Sequence, residues 1–354
     1  MVKRFFIKCI CLTGILALIA LIIYHTDTFN VFHWKSIRSI SSDWNVNFIK
    51  TQYIVHNPDK YNAFIFGSSR VGGLPYKSLP HSYNGKELNW YNMTYPSGIP
   101  SENLLSIKTF LNHGVHVDFV LVGFDNISMY ASLEEHEKNL LRRPYQVYEK
   151  SKWDFYQPYI TNFPEFPILK EVFLYTIGRY DREQYKNQRH FLYNPDNRQE
   201  GVEFSLIENP QEDQYAISTF EYSQKESYRD LEELFAFCAE NNIPLVLFTS
   251  PLYHELYRYC AKQGYLEFLQ QVGERCEFYN FSSLNNYSKD RHYYAESSHY
   301  VAAFGQILEK FIFGSESKRA EIRAAAGDDY FGIKVNAKNV TEVINHLHQQ
   351  LDAE

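Results

Sequence analysis

The chain has 354 residues, 45% of them hydrophobic and 22% charged, which is the balance of a globular protein long enough for one large domain or two modest ones. A formal net charge of −7 offers no basic face, so nucleic acid is not an expected partner. Cys9 and Cys11 lie in the N-terminal apolar run and Cys238, Cys260 and Cys276 in the rest; an odd total and no Cys/His ligand spacing point to neither a disulfide framework nor zinc, and no cofactor motif is present. The surplus of aromatics (29 Tyr, 27 Phe) fits sugar-stacking surfaces or, more ordinarily, core and loop packing.

Lys3, Arg4 and Lys8 precede an apolar run from about Cys9 to Tyr24. The run reaches the roughly 17–25 residues of a spanning helix once Phe5, Phe6 and Ile7 are counted and Lys8 snorkels to the headgroups. No small-x-small site follows Ile23, which favours an uncleaved signal-anchor over a cleaved signal peptide; either exports the domain. The cationic cluster belongs on the cytoplasmic side. The expected protein is therefore single-pass in the cell membrane, with residues 1–29 as cytoplasmic stub and anchor and the bulk extracytoplasmic.

Residues 30–60 scatter Trp34, Ile37, Ile40, Trp44, Phe48, Ile49 and Tyr53 among polar positions and read as a helical stem. Ala63-Phe64-Ile65-Phe66 is then a buried strand opening into the turn Gly67-Ser68-Ser69-Arg70. A helix from Pro100 to Asn112, a strand over Val117–Gly123, a helix from Tyr228 to Asn241 and a strand over Ile243–Thr249 follow. A helix from about His254 to Glu274 and a last strand over Glu277–Phe281 complete the pattern. Near-continuous apolar strands alternating with helices predict an α/β domain with a parallel sheet, over residues 61–313. The alternation fails over about 129–222, a stretch dense in Tyr, Phe, Pro, Asn and Arg; it reads as an aromatic-rich insertion, either a substrate lid or a decorative subdomain. The tail, residues 314–354, reads as two helices (Lys318–Ala326 and Lys338–Leu351) that either pack on the domain or mediate association.

The chemistry-bearing residues lie where such a sheet places them. Ser69 follows a buried strand, and ligands of open α/β sheets bind beyond the carboxyl ends of the strands. A serine hydroxyl needs a base to take its proton, usually His. His299 stands just before a helix expected from about Val301 to Phe311, with Glu296 three residues earlier, within reach to fix its tautomer. Taken singly, a Gly-Ser-Ser turn is more often a helix cap, and a lone His a packing residue. Arg70 either steers an anionic substrate group or bridges carboxylates.

In this order the motifs resemble the blocks of SGNH (GDSL-like) hydrolases. Ala63–Arg70 is similar to the first block in its Gly-Ser-Ser variant, with Ser68 where the common form has Asp. Gly98, in Tyr91–Gly98, matches the second-block glycine that offers a backbone N–H; Val122-Gly123-Phe124-Asp125-Asn126 resembles the third block, and Glu296-x-x-His299 the fifth. The resemblance spans about Tyr61 to Phe313 and implies a three-layer flavodoxin-like fold, a catalytic Ser69, His299 and Glu296, and an oxyanion hole. The third block usually reads Gly-x-Asn-Asp; here the order is Asp125-Asn126, so a carboxylate stands in the amide donor's place. The hole would then draw on Asn126 or Asn92, or on the N–H groups of Ser69 and Gly98.

Exported, anchored proteins of this kind add or remove acyl groups, often acetyl, on cell-envelope glycans, sometimes beside a membrane-embedded acyltransferase. The resemblance thus implies a serine esterase or O-acyltransferase whose partners are a glycan or acyl-ester substrate, that acyltransferase and the membrane. The rival expectation is a catalytically inactive module of the same fold, binding or assembling components in envelope polysaccharide biosynthesis or export.

Overall fold

The computed structural model describes residues 2–35, 44–75, 78–129, 132–179 and 227–353. So far as they are described, the residues group into two compact units: 2–53 with 136–179, and 54–135 with 227–353.

The first unit begins with a single helix, Val2–Thr26, whose 25 residues, with a mean hydropathy of 2.7 over an 18-residue stretch, make it long and apolar enough to cross a membrane. At about 1.5 Å per residue it measures roughly 37 Å, against a hydrocarbon thickness of about 30 Å. The chain does not continue helically into a stem. The Asp27 carboxylate accepts the N–H groups of Val31 (3.0 Å), Phe32 (3.2 Å) and His33 (2.7 Å), gathering them into a turn. Among the described residues of the expected stem helix spans Val46–Val55, while residues 36–43 lie outside the described residues.

The expected insertion starts in the second unit, whose share ends at Glu135 within the helix Leu133–Lys138, and contributes to this first unit through helices at Tyr145–Lys150, Lys152–Thr161 and Phe166–Thr176; residues 180–222 lie outside the described residues. Rings hold the unit together. Phe48 stacks on Phe155 at 4.3 Å between centroids, and Phe29 meets Tyr159 edge-on at 5.3 Å. The Asn45 amide donates to the Tyr159 hydroxyl (2.8 Å) and to the Arg143 carbonyl (2.7 Å), so these two buried side chains satisfy each other among the rings.

The second unit is mixed α/β. Its central sheet comprises β1 (Ala63–Phe66), β2 (Trp90–Asn92), β3 (Phe119–Phe124), β4 (Leu245–Thr249), β5 (Phe278–Asn280) and, beyond a separate hairpin of β6 (Tyr294–Glu296) and β7 (His299–Tyr300), β8 (Ile333–Val335). The order across the sheet is β8-β5-β4-β3-β1-β2. β2, β1, β3, β4 and β5 run parallel, and β8 adds antiparallel with Ile333 opposite Asn280. Strand order reverses between β1 and β3, the switch point at which doubly wound sheets open a crevice.

Side chains alternate across the sheet with period two, and both faces are buried. Ala63, Ile65, Phe119, Leu121 and Phe248 join one core with Phe304, Leu308 and Phe311 of the helix Ala302–Phe313. On the other face Phe64 packs on Phe110 of the helix Pro100–Asn112 at 4.9 Å, and Phe124 meets Phe268 of the helix Tyr265–Gly273 at 6.2 Å. The sheet is thus the middle of three layers. Truncating one of these fully buried rings to alanine would cost about 3–5 kcal/mol.

One detail differs from the sequence reading, and one choice it left open is resolved. The single helix expected over His254–Glu274 is two, His254–Lys262 and Tyr265–Gly273, because Gly264 turns the chain at φ 93°. The tail is part of the domain: helices Glu316–Ala326 and Val340–Asp352 flank β8, with Ile322 and Phe331 in the main core.

Candidate active site

β1 delivers its chain end into a corner that only glycine fits. Gly67 has φ 141°, and a Cβ there would stand 2.6 Å from both the Gly123 carbonyl oxygen and Val71 Cγ2. Ser68 then caps the 3-10 turn Ser69–Val71: its hydroxyl accepts from the Arg70 N–H (3.2 Å) and donates to Asp125 Oδ2 (2.6 Å). The cap leaves Ser69 half-buried at the carboxyl edge of the sheet.

His299 arrives from the far end of the chain. β6 and β7 pair antiparallel with Glu296 opposite His299, and the two intervening residues, Ser297 and Ser298, close the hairpin. Nε2 of His299 lies 2.9 Å from Ser69 Oγ across 230 residues of sequence, and Nδ1 is hydrogen-bonded to Glu296 Oε1. That network assigns the tautomer: Nδ1–H faces the carboxylate, leaving the Nε2 lone pair toward the serine hydroxyl.

Glu296 is itself held. Ser298 donates to it from its backbone N–H (3.0 Å, to Oε2) and from its hydroxyl (2.7 Å, to Oε1). Partial burial pushes the Glu296 pKa up, but the hydrogen bond and charge of His299, with the two Ser298 donors, outweigh burial and bring it to about 2. Ser298 Oγ also lies 3.0 Å from His299 Nδ1. Ser298 is a site residue that the motif pattern does not single out; its one sequence signal is its place inside Glu296-x-x-His299, where a two-residue hairpin leaves the second residue's N–H to bond back.

Asp125 and Asn126 are turned inward. Asp125 is buried and accepts from the Ser68 hydroxyl and from the Ile127 N–H (2.7 Å), with Arg70 Nη1 at 3.3 Å from Oδ1. Asn126 Oδ1 accepts from the same Arg70 guanidinium. Arg70 is buried, with its guanidinium between the Asp125 carboxylate and the Asn126 amide oxygen. With its oxygen turned to Arg70, the Asn126 amide nitrogen is buried without a hydrogen-bond partner among the described residues.

The other oxyanion candidates sit nearby in sequence order. The Gly98 N–H donates to the Tyr95 carbonyl (3.0 Å), closing a turn, and Gly98 is required to be glycine for another reason: a Cβ would stand 2.4 Å from the Gly67 carbonyl oxygen. Asn92 Oδ1 accepts from Thr94 N–H (2.9 Å) and hydroxyl (2.6 Å). The structure therefore brings together Ser69, His299 and Glu296 as one hydrogen-bonded chain, and Ser68, Arg70, Asp125 and Asn126 as a second, buried network behind it.

No protein-family model matches the chain, and a search of curated proteins returns no match.

Proposed function

We propose that this chain is a serine esterase or O-acyltransferase of the SGNH type that handles acyl esters, most simply acetyl, of cell-envelope glycans. The carrying observation is the unbroken Ser69–His299–Glu296 hydrogen-bond chain at the carboxyl edge of a parallel sheet. In this reading Ser69 Oγ attacks the ester carbonyl carbon while His299 Nε2 takes its proton. Glu296 holds the Nδ1–H and stabilises the imidazolium that forms. The tetrahedral oxyanion draws on the Ser69 N–H at the start of the 3-10 turn. Collapse expels the alcohol, which takes the proton back from His299, and leaves an acyl-serine; water or a sugar hydroxyl then attacks by the reverse path.

In this reading Val2–Thr26 anchors the chain with Lys3, Arg4 and Lys8 inside and the sheet unit on the envelope face, beside a membrane-embedded acyl donor; the length and apolar character of that helix support the anchoring. The second reading, a non-catalytic binding module, draws support from the Gly98 N–H being engaged by Tyr95 and from Asp125 standing where an amide donor is usual.

The test is fluorophosphonate labelling of the full-length chain beside Ser69→Ala and His299→Ala. The expected result is a labelled wild type and two unlabelled variants. A folded wild type that neither labels nor cleaves a small acyl ester would move the assignment to the binding module.

A further inference from the structure

The apolar surface of this chain does not end with the N-terminal helix. Outside that helix, every large apolar side chain that is exposed among the described residues, apart from Tyr83 and Leu141, falls between Trp153 and Ile177: Trp153, Ile160, Phe163, Phe166, Phe173 and Ile177. Phe166 is 77% exposed, Trp153 68% and Phe173 62%, values at which large rings in water are unusual when clustered in one short stretch.

Their spacing is that of a helix face. Phe166, Lys170, Phe173 and Ile177 stand at i, i+4, i+7 and i+11, and all four are exposed. The Ile177 N–H bonds to the Phe173 carbonyl at 3.1 Å, so the face carries through the last turn. One lysine among three large apolar residues is the pattern of a side chain that reaches back to phosphates while its neighbours enter the acyl region.

The depth of this face follows from what it lies against. The N-terminal helix is covered only at Ile19, Ile22, Ile23 and Thr26, one stripe in its last two turns. The helices Lys152–Thr161 and Phe166–Thr176 lie against that helix within the same unit. The 20 residues from Phe5 to Tyr24 span about 30 Å, the thickness of a hydrocarbon core, so the covered stripe begins inside the membrane. Elements packed there stand at the boundary between acyl chains and headgroups.

We infer that the Trp153–Ile177 stretch is a second membrane contact, its aromatic face lying in the outer interface beside the spanning helix and fixing the tilt of the N-terminal unit on the bilayer. The occupant is lipid, because the surface is continuous with one that lipid must already cover. The inference rests on the anchoring reading and is independent of the chemistry at Ser69.

The experiment uses the full-length chain in vesicles of phosphatidylcholine and phosphatidylglycerol. Bimane is attached at Phe166→Cys, Phe173→Cys or, as control, Tyr83→Cys, all in a Cys9→Ser/Cys11→Ser background; Cys238, Cys260 and Cys276 are buried. Phe166 and Phe173 are well exposed, and Tyr83 is 39% exposed with its ring edge-on to Phe119, so the Tyr83→Cys chain is first checked for an unchanged thermal midpoint. A nitroxide placed high on the lipid acyl chain is expected to quench positions 166 and 173 at least about twofold more than position 83, as suits side chains about 5–10 Å into the interface. Aqueous iodide is expected to show the opposite order. If the chain floats with the vesicles but iodide reaches all three labels equally, the anchor stands and the second contact is overturned. Protection at 166 and 173 from both quenchers also overturns it, in favour of a protein covering such as a second copy. A chain that does not float at all overturns anchor and contact together.

Discussion

The turn after β1 and the turn after β3 leave the same edge of the sheet, each beside a closely packed glycine, and each carries a row of polar side chains. After β1 the row is Ser68-Ser69-Arg70; after β3 it is Asp125-Asn126. In the second turn both side chains are buried and bonded inward. In the first, Ser68 and Arg70 bond to that buried pair while Ser69, between them, faces His299 instead. A short turn sends neighbouring side chains to different sides, so the flanking residues fix the backbone and the middle one is free for chemistry. The buried network is therefore scaffolding for a single half-exposed hydroxyl, and the two groups should fail differently when altered.

The largest expected effect is on activity alone. Ser69→Ala should lower ester turnover by about 10³–10⁴-fold or more, since the nucleophile acts as a unit with its base. Its thermal midpoint should match wild type, because the hydroxyl is half-exposed and bonds to the half-buried His299 rather than into the core. A melting point that falls with activity would mean that Ser69 is a structural cap, like Ser68.

Arg70→Met should do the reverse. Removing the guanidinium leaves the Asp125 carboxylate buried without its cation, at a cost of about 3–5 kcal/mol in urea unfolding. In the Arg70→Met/Asp125→Asn double variant most of that loss should return, because the stranded charge is gone. Additive losses in this cycle would mean that the pair is not coupled. Ser68→Ala, which removes a 2.6 Å bond from an Asp125 that keeps two other partners, should cost less, about 1–2 kcal/mol.

The contrast also marks what could be read from sequence. Strands β1, β3 and β4 announce themselves as apolar runs closed by turn residues, and the Pro100–Asn112 helix by its proline start and apolar stripe. β2 is Trp-Tyr-Asn and β8 is Ile-Lys-Val, too short and too mixed to stand out; their partners across the sheet define them, and those partners are remote in sequence. Ser69, His299 and Glu296 could be named from motif order, but their 230-residue meeting depends on strand order, which periodicity does not encode. The burial of Arg70 was not legible either: arginine is ordinarily exposed, and only the carboxylate of another turn explains its place. The same holds for the tail, whose two helices read clearly while the edge strand between them, which ties them to the domain, did not.

The smallest expected effect concerns acid. Glu296 has its pKa depressed from 4.5 to about 2, so in the folded chain it stays ionised where the unfolded chain takes up a proton. A depressed carboxyl contributes stability that is complete above about 4.5 and drains away as pH falls through about 2. Because Glu296 keeps 36% of its side chain in contact with solvent, the contribution is screened and should stay under ~1 kcal/mol. Glu296→Gln should therefore leave stability near neutral pH almost unchanged and slightly flatten its decline in urea titrations below pH 4.5. The same variant should still lower turnover by well over the factor its stability change explains, because glutamine neither fixes the Nδ1–H tautomer as firmly nor stabilises the imidazolium. If turnover and acid stability instead fall in proportion, Glu296 belongs with Asp125 as scaffold, and the division between an outward chemical chain and an inward structural one does not hold.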